Sequence, residues 1–379
     1  MTGSRRITLV GPIAQPGQPA VGGYESANLR LMSLLKLICA DTRTLAYPRT
    51  SGSRIDKATQ YARGFAAQLW KLLGESGRDA AVHFTPLCRH FLGAELLLAL
   101  AARTRGNRLT LDLRAGMQES WYRRSSIFYR VGFRCLVSLA TAIAYEGEAY
   151  ARWLDSLAPS ATRFWLPNFV PRDMAVNRPR CPLPDAPTVI FVGTVSEAKG
   201  VTASLRVFRS LRQHLPAARF VVVGRCDTAF RQAQEHAGLV GQNVEFTGPL
   251  PPAAVETHLD RAHFFLFLSH WFGEGHSNAL TEAMARGCVP LASRHGFSAS
   301  VVGCADLIVD DTNDSETIAA RIMSIWQSGG WYKLSDRMVQ RVQENFTEDR
   351  VLLTLQAIYL DTKEAVAGAP APEPEYSRL

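Results

Sequence analysis

The densest cluster of residues able to do chemistry lies in FGEGHSNALTEAMARG, residues 272–287. Glu274 stands in a glycine-flanked loop after an apolar run, and Glu282 follows it with seven residues between them. Ser277 or Asn278 can cap a helix starting there, and the N–H groups at such a start bind phosphate. Glu282, about one turn into the helix, can accept hydrogen bonds from the vicinal hydroxyls of a ribose. Glu274 can bind hydroxyls beyond the phosphate.

One ligand fits this order of groups, a nucleotide-sugar. The alternative is that Ser277 and Glu282 only stabilise a helix start, but a capping box would place the glutamate three residues after the cap. Lys199, which follows a strand and opens a helix, can neutralise a diphosphate leaving group. Its alternative is a solvated lysine at a helix start.

Three weaker signals leave two interpretations each. Gly22 and Gly23 precede a helix, where they either allow a phosphate to approach the backbone or form a flexible turn. Asp112 and Arg114 end a strand, where they either face a ligand or form a buried ion pair. His276 either contacts the sugar or a phosphate oxygen or packs its loop.

Short apolar strands alternate with amphipathic helices along the chain, which predicts parallel sheets. In the first half we expect strands at 7–13, 81–87, 109–116 and 141–147 and helices at 25–40, 58–74, 91–105 and 122–140. In the second half we expect strands at 188–195, 218–225, 243–250, 263–270 and 289–293 and helices at 201–215 and 277–286. His83 and Glu146 lie near the ends of two first-half strands. We expect His83 to be structural and Glu146 to look towards a ligand.

A stretch with six prolines, residues 167–187, interrupts the alternation and predicts an interdomain linker. The expected organisation is a first Rossmann-like domain over 1–175, a linker over 176–187, a second domain over 188–345, a helix over 346–360 returning to the first domain, and a disordered tail over 361–379. Ligands of such sheets bind outside the carboxyl ends of the strands. The cleft between the domains is therefore the expected site.

The segment with Glu274 and Glu282 resembles the E-x7-E signature of retaining glycosyltransferases of family 4. EGHSNALTEAMARG is similar to bacterial members that build capsule, exopolysaccharide or O-antigen chains, and FVGTVSEAKGV, RFVVVGR and VEFTGPL match with lower specificity. The resemblance implies the α/β GT-B fold, two Rossmann-like domains whose parallel sheets face a central cleft. It also implies a metal-independent, cofactor-free retaining transfer (EC 2.4) from a UDP-, GDP- or dTDP-sugar to a saccharide acceptor, expected to be lipid-linked, in surface polysaccharide synthesis.

Carried onto this sequence, the resemblance implies catalytic roles for Glu274, Lys199, Asp112 and Arg114. The donor-binding residues that it implies are Gly22, Gly23, Gly193, Thr194, Lys199, Arg225, Thr247, Gly248, Pro249, Leu250, Glu274, Gly275, His276, Ser277, Asn278, Ala279 and Glu282. Thr194 stands where family members usually have Arg, with Arg225 and Arg294 as candidate replacements, and the strand ending at Asp112 lacks the usual His. These departures favour, as the alternative, a catalytically impaired nucleotide-sugar-binding or regulatory protein.

Composition sets broad limits. The 379 residues are 47% hydrophobic and 20% charged, as in soluble proteins, and the length suits two domains. The seven cysteines are scattered and lack metal-ligand spacing, which disfavours a disulfide framework or a structural metal. No apolar stretch is long enough to span a membrane. We therefore expect a cytoplasmic protein. There is no D-x-D at a strand end, no P-loop and no G-x-S-x-G. Metal-dependent GT-A transfer, NTP hydrolysis and acyl transfer are therefore disfavoured.

Charge is uneven: residues 1–170 carry 22 Lys/Arg and 11 Asp/Glu, against 20 and 23 in the remainder. Within the basic half, residues 121–139 interleave aromatics with arginines. This pattern fits peripheral contact with an anionic membrane, or else an ordinary surface helix on a basic protein. Nucleic acid is not an expected partner because no binding motif is present. The competing enzyme interpretation is a sugar-phosphate synthase or a nucleotide-sugar epimerase. Release of nucleotide that depends on a saccharide acceptor would distinguish a glycosyltransferase from either of these.

Overall fold

A computed structural model describes residues 6–14, 22–74, 80–174 and 184–360. The chain divides into two compact units, the first running to Asn168 and resuming at Asp349, and the second covering Phe169–Glu348. Each unit is built on one six-stranded parallel sheet with helices on its flanks. The predicted α/β class with two parallel sheets is confirmed. Most of the predicted linker and the whole tail over 361–379 lie outside the described residues.

The first unit has a sheet in the order β2-β1-β3-β4-β5-β6. Its strands are β1 (Arg6–Gly11), β2 (Thr42–Ala46), β3 (Ala80–Phe84), β4 (Arg108–Leu113), β5 (Ala142–Tyr145) and β6 (Thr162–Trp165). Its helices are α1 (Gly22–Ile38), α2 (Arg54–Gly74), α3 (Leu92–Thr104), α4 (Gln118–Arg124), α5 (Ile127–Ser138) and α6 (Ala149–Leu157).

The second unit has a sheet in the order β12-β11-β10-β7-β8-β9. Its strands are β7 (Thr188–Val192), β8 (Arg219–Val223), β9 (Val244–Gly248), β10 (Phe264–Phe267), β11 (Val289–Ser293) and β12 (Ile308–Val309). Its helices are α7 (Val201–His214), α8 (Thr228–His236), α9 (Pro252–Arg261), α10 (Asn278–Ala285), α11 (Ser298–Val302), α12 (Ser315–Gln327) and α13 (Trp331–Asn345). The last helix, α14 (Glu348–Tyr359), belongs to the first unit apart from its first residue.

Burial explains why the central strands were visible in the sequence. The inner strands β1, β4, β5 and β10 are buried almost without interruption, because helices cover both faces of a parallel sheet. Such strands consist of continuous apolar runs, which a sequence reveals directly.

Three short edge strands and one helix break were not predicted. The edge strands β2 and β6 mix polar and apolar residues and are largely half-buried or exposed, and β12 has two residues, so none forms a long apolar run. The single helix expected over 122–140 is wrong, because the chain leaves the helical conformation at Ser125 and starts α5 with Ser126 as its cap. The Ser126 hydroxyl accepts a hydrogen bond from the N–H of Tyr129.

Candidate functional site

Glycines draw together the carboxyl ends of three strands in the second unit. The N–H of Gly193 donates to the carbonyl of Val223 at 3.0 Å, and the N–H of Gly224 donates to that of Gly248 at 3.0 Å. A Cβ on Gly224 would lie 1.8 Å from the carbonyl oxygen of Gly193, so only glycine fits this crossing. The loops after β7, β8 and β9 therefore leave the sheet side by side.

The loop after β7 then meets the loop after β10. Gly200 begins α7 in the left-handed conformation, and a Cβ there would lie 2.1 Å from the carbonyl oxygen of Leu268. The N–H of His270 donates to the carbonyl of Ala198 at 2.9 Å. This close backbone contact brings Lys199 next to the residues that follow β10.

Lys199 and Glu274, 75 residues apart in the chain, form an ion pair. The Nζ of Lys199 lies 2.7 Å from Oε2 of Glu274, and the Ser269 hydroxyl donates to the same oxygen at 2.6 Å. The Glu274 side chain is 8% exposed and the Lys199 side chain 25% exposed. An ammonium and a carboxylate are thus paired near the carboxyl ends of β7 and β10, and the ammonium is partly accessible to solvent. Sequence reasoning missed Ser269, although its position at the end of an apolar strand was a usable signal.

Helix α10 starts immediately beyond this pair. Ser277 is its cap and accepts a hydrogen bond from the N–H of Leu280, so the predicted helix start is confirmed. Its start carries the positive end of the helix dipole. Glu282 is half-buried and lies in the second turn.

His276 is buried between the loop and its neighbours. Its Nε2 lies 2.7 Å from the Thr281 hydroxyl, and its ring meets the Phe346 ring edge-on at 4.9 Å. These contacts match the loop-packing alternative for His276. The flanking residues Gly275, Asn278 and Ala279 are all half-buried.

The remaining donor-site candidates of the second unit lie in its strand-end loops. Thr194 and Arg225 are exposed after β7 and β8, and the Thr247 hydroxyl donates to the carbonyl of Gly248. Pro249 is exposed and Leu250 half-buried. Arg294, a candidate replacement for the arginine missing at Thr194, instead forms an exposed ion pair with Asp310 at 2.5 Å and holds the pKa of that carboxyl below its ordinary value.

In the first unit, Asp112 and Arg114 form a buried cluster at the end of β4. Oδ2 of Asp112 accepts from Nε of Arg114 at 2.8 Å and lies 3.1 Å from Nε2 of His83. Arg114 also donates to Oδ1 of Asn168 at 3.0 Å, and the Tyr359 hydroxyl of α14 lies 2.7 Å from Nδ1 of His83. The sequence showed no histidine on the Asp112 strand, but the neighbouring strand supplies one.

Electrostatics keep the Asp112 carboxylate ionised although it is buried. Burial by itself would raise the pKa of Asp112, but the charge of Arg114 and the hydrogen bond from His83 outweigh it and lower that pKa. Because the carboxylate can only accept, Nε2 of His83 carries a hydrogen and donates to it, while Nδ1 lies within hydrogen-bonding distance of the Tyr359 hydroxyl. Asp112 and Arg114 therefore have the geometry of a buried ion pair, which was the alternative interpretation of these two residues.

A second buried carboxyl holds the loop after β3. Glu95 accepts hydrogen bonds from the Tyr47 hydroxyl at 2.7 Å and from the N–H groups of Leu87 and Cys88 at 2.7 and 2.8 Å. Cys88 and Arg89 both have positive φ, +58° and +51°. Burial raises the pKa of Glu95 to about 7, against the smaller opposing effect of its three donors. Glu95 therefore stabilises a strained turn.

The other first-unit candidates lie at loop ends. Gly22 and Gly23 are exposed at the start of α1, with the loop before them outside the described residues. The buried Glu146 carboxylate accepts from the N–H of Ala115 at 3.3 Å.

No described helix is long and apolar enough to cross a membrane.

A known protein family matches the second unit of the chain. Residues 177–345 match the family described as "Glycosyl transferases group 1", which is under half of the chain. No curated protein sequence matches.

Solved structures match nearly the whole chain at low identity. The Anabaena protein HepE, solved with UDP, has a TM-score of 0.67 at 12% identity, with 93% of this chain and 99% of that chain covered. An α,α-trehalose 6-phosphate synthase from Burkholderia multivorans gives 0.64 at 11% identity, covering 93% and 96%. A Rickettsia africae glycosyltransferase gives 0.65 at 11%, covering 96% and 100%. The fold is GT-B, and with the family match it supports a glycosyltransferase.

Proposed function

We propose that the protein transfers a glycosyl group from a nucleotide-sugar to a saccharide acceptor, with retention of anomeric configuration and without a metal. The second unit binds the donor and the first binds the acceptor. The observation that carries the proposal is the Lys199–Glu274 pair beside the start of α10, because it joins a phosphate-binding cation, a hydroxyl-binding carboxylate and a helix N-terminus.

Each group has one task in this proposal. Lys199 and the N–H groups at the start of α10 bind the diphosphate and stabilise the charge that develops as it leaves. Glu282 binds the ribose hydroxyls and Glu274 those of the transferred sugar. The bond from the anomeric carbon to phosphate breaks while the acceptor oxygen bonds on the same face. The acceptor proton passes to the departing phosphate oxygen.

The acceptor and the setting are also part of the proposal. HepE was solved with UDP and with UDP-glucose, so a UDP-sugar is the first donor to test, followed by GDP- and dTDP-sugars. A lipid-linked saccharide acceptor in the synthesis of surface polysaccharide fits the resemblance of the EGHSNALTEAMARG segment.

An exposed face of α5 supports peripheral contact with an anionic membrane at the cytoplasmic side. Ile127, Phe128 and Val131 are 58%, 85% and 51% exposed there, and Arg124 and Arg134 are exposed beside them. Apolar side chains flanked by arginines suit an interface that is both apolar and negatively charged. We expect the protein to sediment with vesicles containing anionic lipid and Phe128→Asp to reduce this. Equal sedimentation of both proteins would contradict the contact.

The test of the function is release of nucleotide from a labelled nucleotide-sugar with and without a polyprenyl-diphosphate-linked saccharide. Transfer predicts release that depends on the acceptor, together with a lengthened saccharide. Thr194, in place of the usual arginine, favours a second candidate, a nucleotide-sugar-binding protein without turnover. That candidate predicts donor binding but no product.

A further inference from the structure

Two adjacent aromatic side chains are exposed beside the candidate site. Trp271 is 48% exposed and Phe272 41% exposed. Among the described residues of the second unit, they are the large hydrophobic side chains most open to solvent, and the other exposed ones of the chain belong to the first unit. Trp271 therefore presents an apolar ring face to solvent next to the Lys199–Glu274 pair.

The backbone around Trp271 is fixed. Its N–H donates to the Ser269 hydroxyl at 3.2 Å, and its carbonyl accepts from the N–H of Glu274 at 2.9 Å and from Nε2 of His295 at 2.8 Å. Gly273 leaves room for the indole, because a Cβ there would lie 2.9 Å from Nε1 of Trp271. The backbone that carries the ring is thus held by hydrogen bonds before any ligand arrives, which lowers the entropic cost of binding.

The indole also adjoins the charged pair. The Nζ of Lys199 lies 5.8 Å from its ring centroid and 2.7 Å from Glu274. A pyranose ring carries hydroxyls around its rim and C–H groups on its faces. Carboxylate and ammonium groups suit the rim, and an aromatic ring suits a face.

Building on the proposed function, we propose that Trp271 binds the glycosyl group of the donor by stacking against one face of the sugar. Glu282 and the helix start account for the ribose and the diphosphate, so the nucleobase lies beyond Glu282. Glu274 and Trp271 precede the start of α10 while Glu282 follows it, so on the proposed function they adjoin the sugar. Trp271 thereby makes the site prefer the sugar-bearing nucleotide over the free nucleoside diphosphate.

The test compares paired ligands by calorimetry: UDP-glucose with UDP, GDP-mannose with GDP, and dTDP-glucose with dTDP. For the pair that the wild type binds, Trp271→Ala should weaken the nucleotide-sugar roughly three- to tenfold and leave the free diphosphate unchanged. Trp271→Phe, which keeps an aromatic face, should restore most of the difference. Phe272→Ala is the matched control, equally exposed and one residue away, and should change neither affinity.

Each other outcome overturns a defined part. Equal weakening of sugar nucleotide and free diphosphate by Trp271→Ala would place the nucleotide on the indole and overturn the inference. An equal effect of Phe272→Ala, or no selective effect, would also overturn it while the proposed function stands. A wild type that binds no sugar nucleotide would contradict the proposed function together with the inference.

Discussion

The two units place charged residues at the carboxyl ends of similar six-stranded parallel sheets, but they use them differently. In the first unit, Asp112, Arg114 and His83 are almost wholly buried and bind one another. In the second, Lys199 and Glu274 pair near the carboxyl ends of β7 and β10, next to a helix start, and the lysine is partly open to solvent. The same strand-end location therefore yields an internal brace in one unit and a surface open to a ligand in the other.

This difference in burial decides what a substitution in each cluster should change. A buried ion pair whose charges are mutually satisfied stabilises the fold only if both partners remain, because each alone is an uncompensated charge. A partly exposed pair can exchange its partner for a substrate group at little structural cost. Substitutions in the first cluster should therefore act on stability and those in the second on binding and turnover.

The largest expected effect is on the stability of the first unit. Arg114→Ala leaves the Asp112 carboxylate buried with His83 alone, so we expect the free energy of unfolding to fall by about 3–5 kcal/mol. Denaturant unfolding measures this. Arg231→Ala, which removes an exposed ion pair with Glu235, is the control and should cost at most about 0.5 kcal/mol. Similar losses for both variants would contradict the contrast between the clusters.

The pH dependence of stability tests the buried Glu95. Its pKa is about 7 in the folded protein and near 4.5 in the unfolded chain, so between these values the folded state holds a proton that the unfolded state has lost. The contribution of Glu95 is therefore fully present below about pH 4.5 and is lost as the pH rises through 7, by up to about 3 kcal/mol.

Glu95→Gln cannot titrate and isolates this effect. The difference in unfolding free energy between wild type and variant should shift against the wild type as the pH rises from 4.5 to 7 and stay constant above that. Other groups titrate equally in both proteins and cancel. A difference that does not change with pH would show that Glu95 is ionised throughout.

The second unit should respond in activity. Glu274→Gln keeps a hydrogen-bonding side chain beside Ser269 but loses the charge that pairs with Lys199, so sugar and phosphate are no longer positioned together. We expect transfer to fall about 100-fold with the melting temperature nearly unchanged. Transfer assays and thermal unfolding on the same preparation decide this. A variant that loses stability instead of activity would make this pair a brace like that of Asp112.

A smaller effect is expected at the helix cap. Ser277→Ala removes the acceptor for the N–H of Leu280 and should lower the unfolding free energy by about 1 kcal/mol. Ser126→Ala at α5, a serine cap in the first unit, is the matched control. Only Ser277→Ala should also weaken nucleotide binding. Equal nucleotide affinity of both variants would show that the start of α10 does not bind the donor.

The sequence was sufficient to predict the inner strands and the proximity of Lys199 and Glu274. Lys199 and Glu274 each follow an apolar strand, and the carboxyl ends of parallel strands lie together, so their proximity could be predicted despite a separation of 75 residues in the chain. The edge strands β2 and β6 could not be predicted, because each is short and mixes polar with apolar residues.

Register and burial were beyond the sequence. His83 pairs with Thr110 across β3 and β4, and side chains alternate along a strand, so Asp112, two residues on, faces the same side as His83. Without that register the histidine beside Asp112 could not be located. The exposure of Trp271 likewise depends on which helices cover the loop after β10, and a tryptophan in a sequence is normally expected in the core.

The most direct test of the central claim, that the second unit binds a nucleotide-sugar at Lys199, Glu274 and Glu282, is calorimetric titration with UDP-glucose, GDP-mannose and dTDP-glucose. It is run on the wild type and on Glu282→Ala. We predict that the wild type binds one of them and that the variant binds it about tenfold or more weakly, because the ribose loses its charged acceptor. Equal affinity of both proteins, or no binding by the wild type, would contradict the account.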